Sequence, residues 1–158
     1  MLFRSQPSPK IFTAKFDDSL LAEIEAVEKN SNATLIDARP AIFFDGKQKA
    51  PAVKAYGHIP GAHNLDSARF YDPATNRLRS KEQLAAIAAS LPKGPIIAYC
   101  NTGHWAATDW FVLSAVLGRP DVRLYDGSMV EWAAEAKRPV ASSRTRWDDL
   151  KKMVGLGS

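Results

Sequence analysis

The chain has 158 residues, of which 46% are hydrophobic and 24% charged, a balance typical of one folded globular domain. Its formal net charge of +4 comes without a dense lysine and arginine block interleaved with aromatic residues, so we expect no nucleic acid partner. The single cysteine, Cys100, excludes an intramolecular disulfide, and three scattered histidines give no spacing for a zinc site.

The chain begins with residues 1–10, in which two prolines stand among polar residues and indicate a linker or an irregular start. This segment lacks the apolar core of a signal peptide, and no run in the chain approaches the roughly 20 apolar residues of a membrane span. We therefore expect a cytoplasmic protein that does not bind membranes. The expectation becomes periplasmic if the chain is a fragment whose export signal lies upstream.

The first half of the chain predicts two strands, one helix and a long loop. Residues 11–14 indicate a short strand, and residues 17–19 offer N-caps for a helix that runs to about Lys29. Residues 33–36 predict a buried strand that ends at residues 37–40, where a proline stops it. The glycines and proline of residues 57–64 then impose a tight turn within a loop, where we expect His58 and His63 to serve packing.

The second half predicts alternating helices and strands. Ser80 and Gln83 form a capping box for a helix over residues 81–89, and residues 96–99 predict a short strand buried on both faces. A helix over residues 105–117 ends at Gly118, a strand follows over residues 122–125, and Ser128 caps a helix to about Lys137. A last amphipathic piece covers residues 147–154. This alternation predicts an α/β domain with its ligand site at the carboxyl ends of the strands.

Cys100 stands at the end of a buried strand and at the start of a loop that leads into a helix. Backbone N–H groups of residues 101–105 can converge on one point there, and the first turn of the helix adds partial positive charge. Such a field favours a thiolate over a thiol, whose pKa is about 8.5 in free cysteine. The alternative is a buried cysteine that packs as a small hydrophobic side chain. The polar or flexible residues that follow Cys100 argue for the reactive thiol.

Four segments together resemble the rhodanese family, and especially the cysteine-bearing C-terminal half of tandem thiosulfate and mercaptopyruvate sulfurtransferases. They are residues 35–40 (LIDARP), 57–64 (GHIPGAHN), 95–103 (PIIAYCNTG) and 124–132 (LYDGSMVEW). The resemblance implies an open, mostly parallel sheet with helices on both faces, within a domain over residues 11–136. Residues 137–158 then form a C-terminal tail with a short helix. Resemblance to half of a tandem protein leaves open a second rhodanese-like domain as a partner.

The resemblance also implies an enzyme of the thiosulfate sulfurtransferase type, with Cys100 as its nucleophile. The Cys100 thiolate would take the outer sulfur of a small anionic donor, thiosulfate or 3-mercaptopyruvate, and pass it from a persulfide to a thiol or to cyanide. No metal or organic cofactor is implied. The loop that would bind the persulfide comprises Asn101, Thr102, Gly103, His104 and Trp105.

An aspartate and an arginine, Asp37 and Arg39, end the preceding strand beside the expected pocket. A hydrogen bond between them, or from either one to the loop, would give them a supporting role. The alternative is a partly exposed ion pair, worth about 0–1 kcal/mol. His104 is either a ligand for the donor anion or a solvent-facing residue at the start of the helix, and Trp105 either covers the core or walls the pocket.

The loop departs from the family pattern in its charge. Many relatives that use thiosulfate have cations where Asn101 and Thr102 stand, and Phe43 takes the place of a second arginine. The donor is therefore open, and a second reading is a noncatalytic or sulfur-carrier docking module of a larger tandem protein. A cysteine phosphatase is a further alternative, but it needs an arginine at the far end of the loop, where this chain has Trp105 and Ala106.

Overall fold

The computed structural model describes residues 8–29, 32–143 and 145. The amphipathic piece predicted over residues 147–154 lies outside the described residues. The described chain contains six strands and five α-helices, in the order α1 Ile24–Glu28, β1 Thr34–Asp37, α2 Ala41–Phe44, β2 His63–Asn64, β3 Tyr71–Asp72, β4 Arg77–Leu78, α3 Lys81–Ala88, β5 Ile96–Tyr99, α4 His104–Trp110, β6 Val122–Leu124 and α5 Ser128–Trp132. Within this part of the chain, no helix has the length and apolar character needed to cross a membrane.

The central sheet has four parallel strands in the order β2-β1-β5-β6. Its register pairs Asp37 at the end of β1 with Tyr99 at the end of β5. Cys100 therefore follows β5 at the same edge of the sheet as Arg39, which follows β1. Strands β3 and β4 form a separate antiparallel ribbon. The predicted mostly parallel sheet is confirmed, and its carboxyl edge collects the residues singled out in the sequence.

Two hydrophobic cores cover the two faces of the sheet. Side chains alternate between the faces along each strand, so Leu35 and Ile97 pack with α1 and α5, and Ile36 and Ile96 pack with α3 and the helix after α4. Each fully buried aliphatic side chain contributes roughly 1.5–3 kcal/mol to folding. Helices on both faces of the sheet, as predicted, hold the carboxyl edge in place.

The start of the chain differs from its predicted elements. Residues 11–14 form no strand, and Ile11 is fully exposed. The predicted helix is interrupted after a 3₁₀ turn, Asp18–Leu20, because Leu21 makes a parallel bridge to Leu124 at the edge of β6. The N–H of Ala22 donates to the carbonyl oxygen of Leu124 at 2.9 Å, so pairing with the sheet replaces a helical turn.

Later elements follow the prediction more closely. The capping box of Ser80 and Gln83 begins α3. The helix after Cys100 runs through α4 into a π-helical segment, Phe111–Val116, and stops at Gly118, whose φ is +76°. The predicted loop over residues 57–64 contributes β2 as a two-residue edge strand. Helix α5 ends at Trp132, five residues before its expected end.

The segment after α5 packs back onto the domain. The indole N–H of Trp132 donates to the carbonyl of Pro139 at 2.9 Å, and His58 and Ala141 exchange two backbone hydrogen bonds. The N–H of Ser143 donates to the carbonyl of Asp45 at 3.1 Å. These contacts attach residues 139–143 to α5 and to the segment before β2, whereas the domain boundary at residue 136 stays a prediction.

Candidate active site

Cys100 lies where the interior strand β5 opens into the loop. All four residues of β5 are buried, and Cys100 itself is only 1% exposed. Its side chain packs in a cluster with Ala38, Ala98 and Ala106. These neighbours come from the end of β1, from β5 and from α4, so the thiol is enclosed by three small apolar side chains.

The loop turns through Gly103, the residue before α4. Its φ of +85° is a backbone conformation that favours glycine, and a Cβ there would lie 3.1 Å from the carbonyl oxygen of Asp126. Gly103 is also the N-cap residue of α4. Because glycine has no side chain, it accepts no hydrogen bond from the first N–H groups of α4 and leaves them uncapped. These groups lie directly after the loop that begins at Cys100.

Ser128 connects the loop to α5. This side chain is fully buried, and its hydroxyl oxygen accepts the N–H groups of Cys100 at 3.0 Å and Gly103 at 3.1 Å. The hydroxyl donates to the carbonyl of Tyr125 at 2.9 Å. The N–H of Gly103 is thereby used within the protein, which corrects the expectation that the N–H groups of residues 101–105 converge on one point.

The sequence placed Ser128 as the N-cap of a helix, and this was wrong. Gly127 holds the N-cap position and Ser128 begins α5 with a φ of +51°. The next two residues also attach α5 to the loop. The N–H of Met129 donates to the carbonyl of residue 100, and the N–H of Val130 donates to the carbonyl of residue 101, each at 3.1 Å. The sequence signal for this contact was the predicted strand arrangement. Because the parallel strands β5 and β6 end at the same edge of the sheet, residues 126–128 lie beside the loop.

Asp37 and Arg39 form a buried pair. Their side chains are 0% and 1% exposed, so the alternative of a partly exposed pair is wrong. The guanidinium Nη2 lies 2.6 Å from Oδ2 of Asp37 and donates to the carbonyl of Gly57 at 2.7 Å, and Nη1 donates to Oδ1 of Asn101 at 3.3 Å. Arg39 thus joins β1, the turn before β2 and the loop after Cys100. Its buried charge is matched by Asp37 and by hydrogen bonds.

The outer side of the loop is exposed and carries no lysine or arginine. Thr102 and His104 are exposed, with Oγ1 and Nδ1 3.2 Å apart. Trp105 is 40% exposed, and its ring centroid lies 6.1 Å from that of Phe43. An aromatic contact therefore borders the loop where the family resemblance leads one to expect a cation.

The two other histidines differ from each other. His58 stacks on Phe44 with ring centroids 3.7 Å apart, and its Nδ1 lies 2.8 Å from the carbonyl oxygen of the same residue, in keeping with packing of the turn. His63 is exposed in β2. Neither is a residue of the loop after Cys100.

Asp109 is a buried acid that the sequence reasoning missed. It is 0% exposed, and neither of its carboxyl oxygens has a hydrogen-bond partner in the described part of the chain. Burial, followed by the negative charges of Cys100, Asp37 and Asp66, raises the pKa of this carboxyl well above its ordinary value. Asp109 lies three positions after Ala106, on the helix face that packs on the sheet, and no sequence pattern marked this position as buried.

A model of the family described as Rhodanese-like domain matches residues 19–135. Thiosulfate sulfurtransferase from Corynebacterium glutamicum is 35% identical over 122 residues, which cover 73% of this chain and 40% of that protein. Sulfur carrier protein TtuD from Thermus thermophilus is 32% identical over 136 residues, covering 80% of this chain and 47% of that protein. The chain thus spans less than half the length of these two relatives.

Solved structures show the same fold. The crystal structure of the Tum1 protein from Saccharomyces cerevisiae matches with a TM-score of 0.68 and 26% identity, over 82% of this chain and 49% of that one. The crystal structure of YnjE matches with a TM-score of 0.69 and 26% identity, over 80% of this chain and 33% of that one. Both matches cover only part of a longer protein.

Proposed function

Because the chain belongs to the rhodanese-like sulfurtransferase family, we propose that it transfers sulfane sulfur from a small anionic donor to a thiol or cyanide through a persulfide on Cys100. The observation that carries the proposal is the position of this thiol. It lies at the start of a loop that Arg39 and Ser128 hold in place and that leads into the uncapped first turn of α4. Backbone N–H groups and a helix start favour an anion at that point.

The first half of the reaction charges Cys100. With thiosulfate, the thiolate sulfur bonds to the outer sulfur of the donor, the sulfur–sulfur bond of the donor breaks, and sulfite leaves with the electron pair. With 3-mercaptopyruvate, the carbon–sulfur bond breaks and the carbon takes up a proton to give pyruvate. In the second half, a thiol or cyanide bonds to the outer sulfur of the persulfide, and the Cys100 thiolate leaves.

The chain's own residues have defined parts in this scheme. The hydroxyl of Ser128 fixes the backbone at both ends of the segment 100–103, and Arg39 fixes the side chain of Asn101. The N–H groups of Asn101, Thr102, His104 and Trp105 are those proposed to face the sulfur anion. Such preorganised donors stabilise charge without reorganising during the reaction.

The charge at the loop bears on the choice of donor. Arg39 is buried and bonded to Asp37, Gly57 and Asn101, so it does not serve as a mobile clamp for a dianion. His104 is the one side chain of residues 101–105 that can carry a positive charge, and as a cation it would attract a donor anion. We therefore propose that backbone N–H groups of the loop, and not fixed cations, hold the donor anion.

Mass spectrometry of the intact protein tests the proposal directly. The protein is incubated with thiosulfate and, separately, with 3-mercaptopyruvate. We expect one added sulfur on Cys100 with at least one donor, its release by cyanide, and no addition in Cys100→Ser. A folded protein that gains no sulfur from either donor contradicts the enzymatic proposal.

The second candidate function is a sulfur carrier that loads from another protein. The absence of cations from residues 101–105 favours it, and the relative from Thermus thermophilus bears that name. Comparing loading with turnover separates the two candidates. A carrier takes sulfur from a persulfidated protein donor but not repeatedly from small donors, whereas the enzyme gives thiocyanate in many-fold molar excess over itself.

A further inference from the structure

Asp109 stands apart from the other buried acid of the site. Asp37 faces a guanidinium and accepts hydrogen bonds from Arg39, whereas Asp109 is equally buried and has no hydrogen-bond partner for either oxygen among the described residues. An ionised carboxylate without a partner is costly to bury, and a neutral carboxylic acid is much less so. Its environment thus favours the protonated form.

The groups around Asp109 lead to the same conclusion. Helix α4 carries Asp109 three residues after Ala106, which packs against Cys100, so both side chains lie on the buried face of the helix. The groups whose charges act on the carboxyl are Cys100 on the loop, Asp37 on β1 and Asp66 before the 3₁₀ turn Ser67–Phe70. All three are negative when ionised.

Asp109 and Cys100 do not readily carry a negative charge at the same time. Two buried groups that repel each other titrate as a coupled pair, and the proton stays on one of them while the other is ionised. The loop after Cys100 leads into the uncapped first turn of α4, which favours a negative charge there, whereas no hydrogen bond serves the Asp109 carboxyl within the described residues. When one of the two groups is ionised, the proton therefore belongs on Asp109.

We propose that Asp109 is a positioning residue that stays a neutral carboxylic acid beneath the loop, so that the negative charge rests on Cys100 and the carboxyl O–H supplies a donor toward that sulfur. This inference rests on the proposed use of Cys100 as the nucleophile. Hydrogen bonds at active sites are often long before an anion forms and shorten when it does. Asp109 itself gives up no proton, since the acid keeps its proton through both halves of the transfer.

Infrared difference spectroscopy tests the protonation. Spectra of the wild-type protein at neutral pH minus those of Asp109→Asn should contain the carbonyl band of one buried carboxylic acid. That band should shift when Cys100 is converted to its thiolate or persulfide, because the O–H then gains an acceptor. A difference spectrum with a carboxylate band in its place overturns the proposal.

A thiolate titration tests the effect on Cys100. Ultraviolet absorbance of the thiolate is followed against pH, with Cys100→Ser as the blank. Asp109→Leu should raise the midpoint by about one pKa unit, a roughly tenfold smaller thiolate fraction below the midpoint, because it removes the donor. Asp109→Asn keeps a donor and should stay close to the wild type. Asp66→Asn, the matched control, removes an acid without touching the O–H and should not raise the midpoint.

Each outcome of the thiolate titration either supports the inference or contradicts it. A lower midpoint in Asp109→Asn means that the wild-type carboxyl is charged, and an unchanged midpoint in a folded Asp109→Leu means that Asp109 only fills space. Either result overturns the inference. If Asp109→Leu does not fold, the infrared spectra and the thiolate titration of Asp109→Asn still test whether the Asp109 carboxyl is neutral. The titration uses no sulfur donor, so failure of the proposed sulfur transfer in the mass experiment is a separate result.

Discussion

The Ser128 hydroxyl provides the sharpest test of how the loop is held. In Ser128→Ala, the N–H groups of Cys100 and Gly103 and the carbonyl of Tyr125 all lose their partner. A typical hydrogen bond contributes about 0.5–1.5 kcal/mol, so three of them amount to about 3 kcal/mol. For a domain of this size, that loss corresponds to a melting temperature lower by roughly 6–12 °C.

Two further variants separate the hydroxyl from other effects. Ser128→Gly loses the same hydrogen bonds but relieves the positive φ of +51°, so it should be about 1 kcal/mol more stable than Ser128→Ala. Ser114→Ala is the matched control, since the Ser114 hydroxyl donates a hydrogen bond to the carbonyl of Trp110 at a half-buried helix position. Its stability should change by about 0.5 kcal/mol or less.

Urea unfolding followed by circular dichroism measures the stabilities, and the rate of sulfur addition to Cys100 measures the effect on the site. We expect the order wild type, then Ser128→Gly, then Ser128→Ala in stability, with slower sulfur addition in both variants. A Ser128→Ala protein that loses less than about 1 kcal/mol and loads sulfur at the wild-type rate would refute the assigned role, given the three bonds described.

Three other predictions concern the same edge of the sheet. Asp37→Asn leaves the Arg39 charge buried without its counter-ion and should cost about 3–5 kcal/mol in urea unfolding, and a cost below about 1 kcal/mol would contradict a buried pair. Gly103→Ala forces a φ of +85° on a residue with a Cβ 3.1 Å from the Asp126 oxygen, so we expect a loss of at least about 1 kcal/mol and slower sulfur loading; unchanged thermal melting would exclude this strain. The pKa of the Asp109 carboxyl lies well above the ordinary value of 3.8 in the native protein, so at intermediate pH the native state holds a proton that the unfolded chain does not. Unfolding then releases this proton, and a rise in pH destabilises the wild type. The stability of Asp109→Asn relative to the wild type should therefore increase between about pH 5 and about pH 7, and a constant difference would mean that the carboxyl titrates normally.

The sequence was sufficient for elements that depend on local chemistry. The capping box of Ser80 begins its helix because both hydrogen bonds lie within four residues. Four consecutive buried residues before Cys100 predicted β5, since a strand between two others is covered on both faces. The family motifs likewise placed Asp37, Arg39 and the loop near one another, as the register of β1 and β5 requires.

Features that depend on distant partners were not predicted. Ser128 has the local character of a helix cap, but two of its partners lie 25 and 28 residues earlier in the chain. Residues 11–14 have apolar character suited to a strand, yet strand propensity has little effect without a neighbouring edge. The burial of Asp109 follows from packing of α4 on the sheet, which the apolar periodicity of a helix does not reveal when the buried position is itself acidic.

The contacts of Arg39 also predict an order for the events of folding. Its bond to Asp37 spans two residues, whereas its bonds to Gly57 and Asn101 span 18 and 62. Contacts between distant residues form only after the entropy of closing the intervening chain has been lost, and proteins rich in them fold slowly. The Asp37 contact can therefore form with β1 alone, but the Asn101 contact waits until β1 and β5 have paired. In refolding, helical signal should return before the competence of Cys100 to accept sulfur, so that the reactive loop is among the last parts of the molecule to mature.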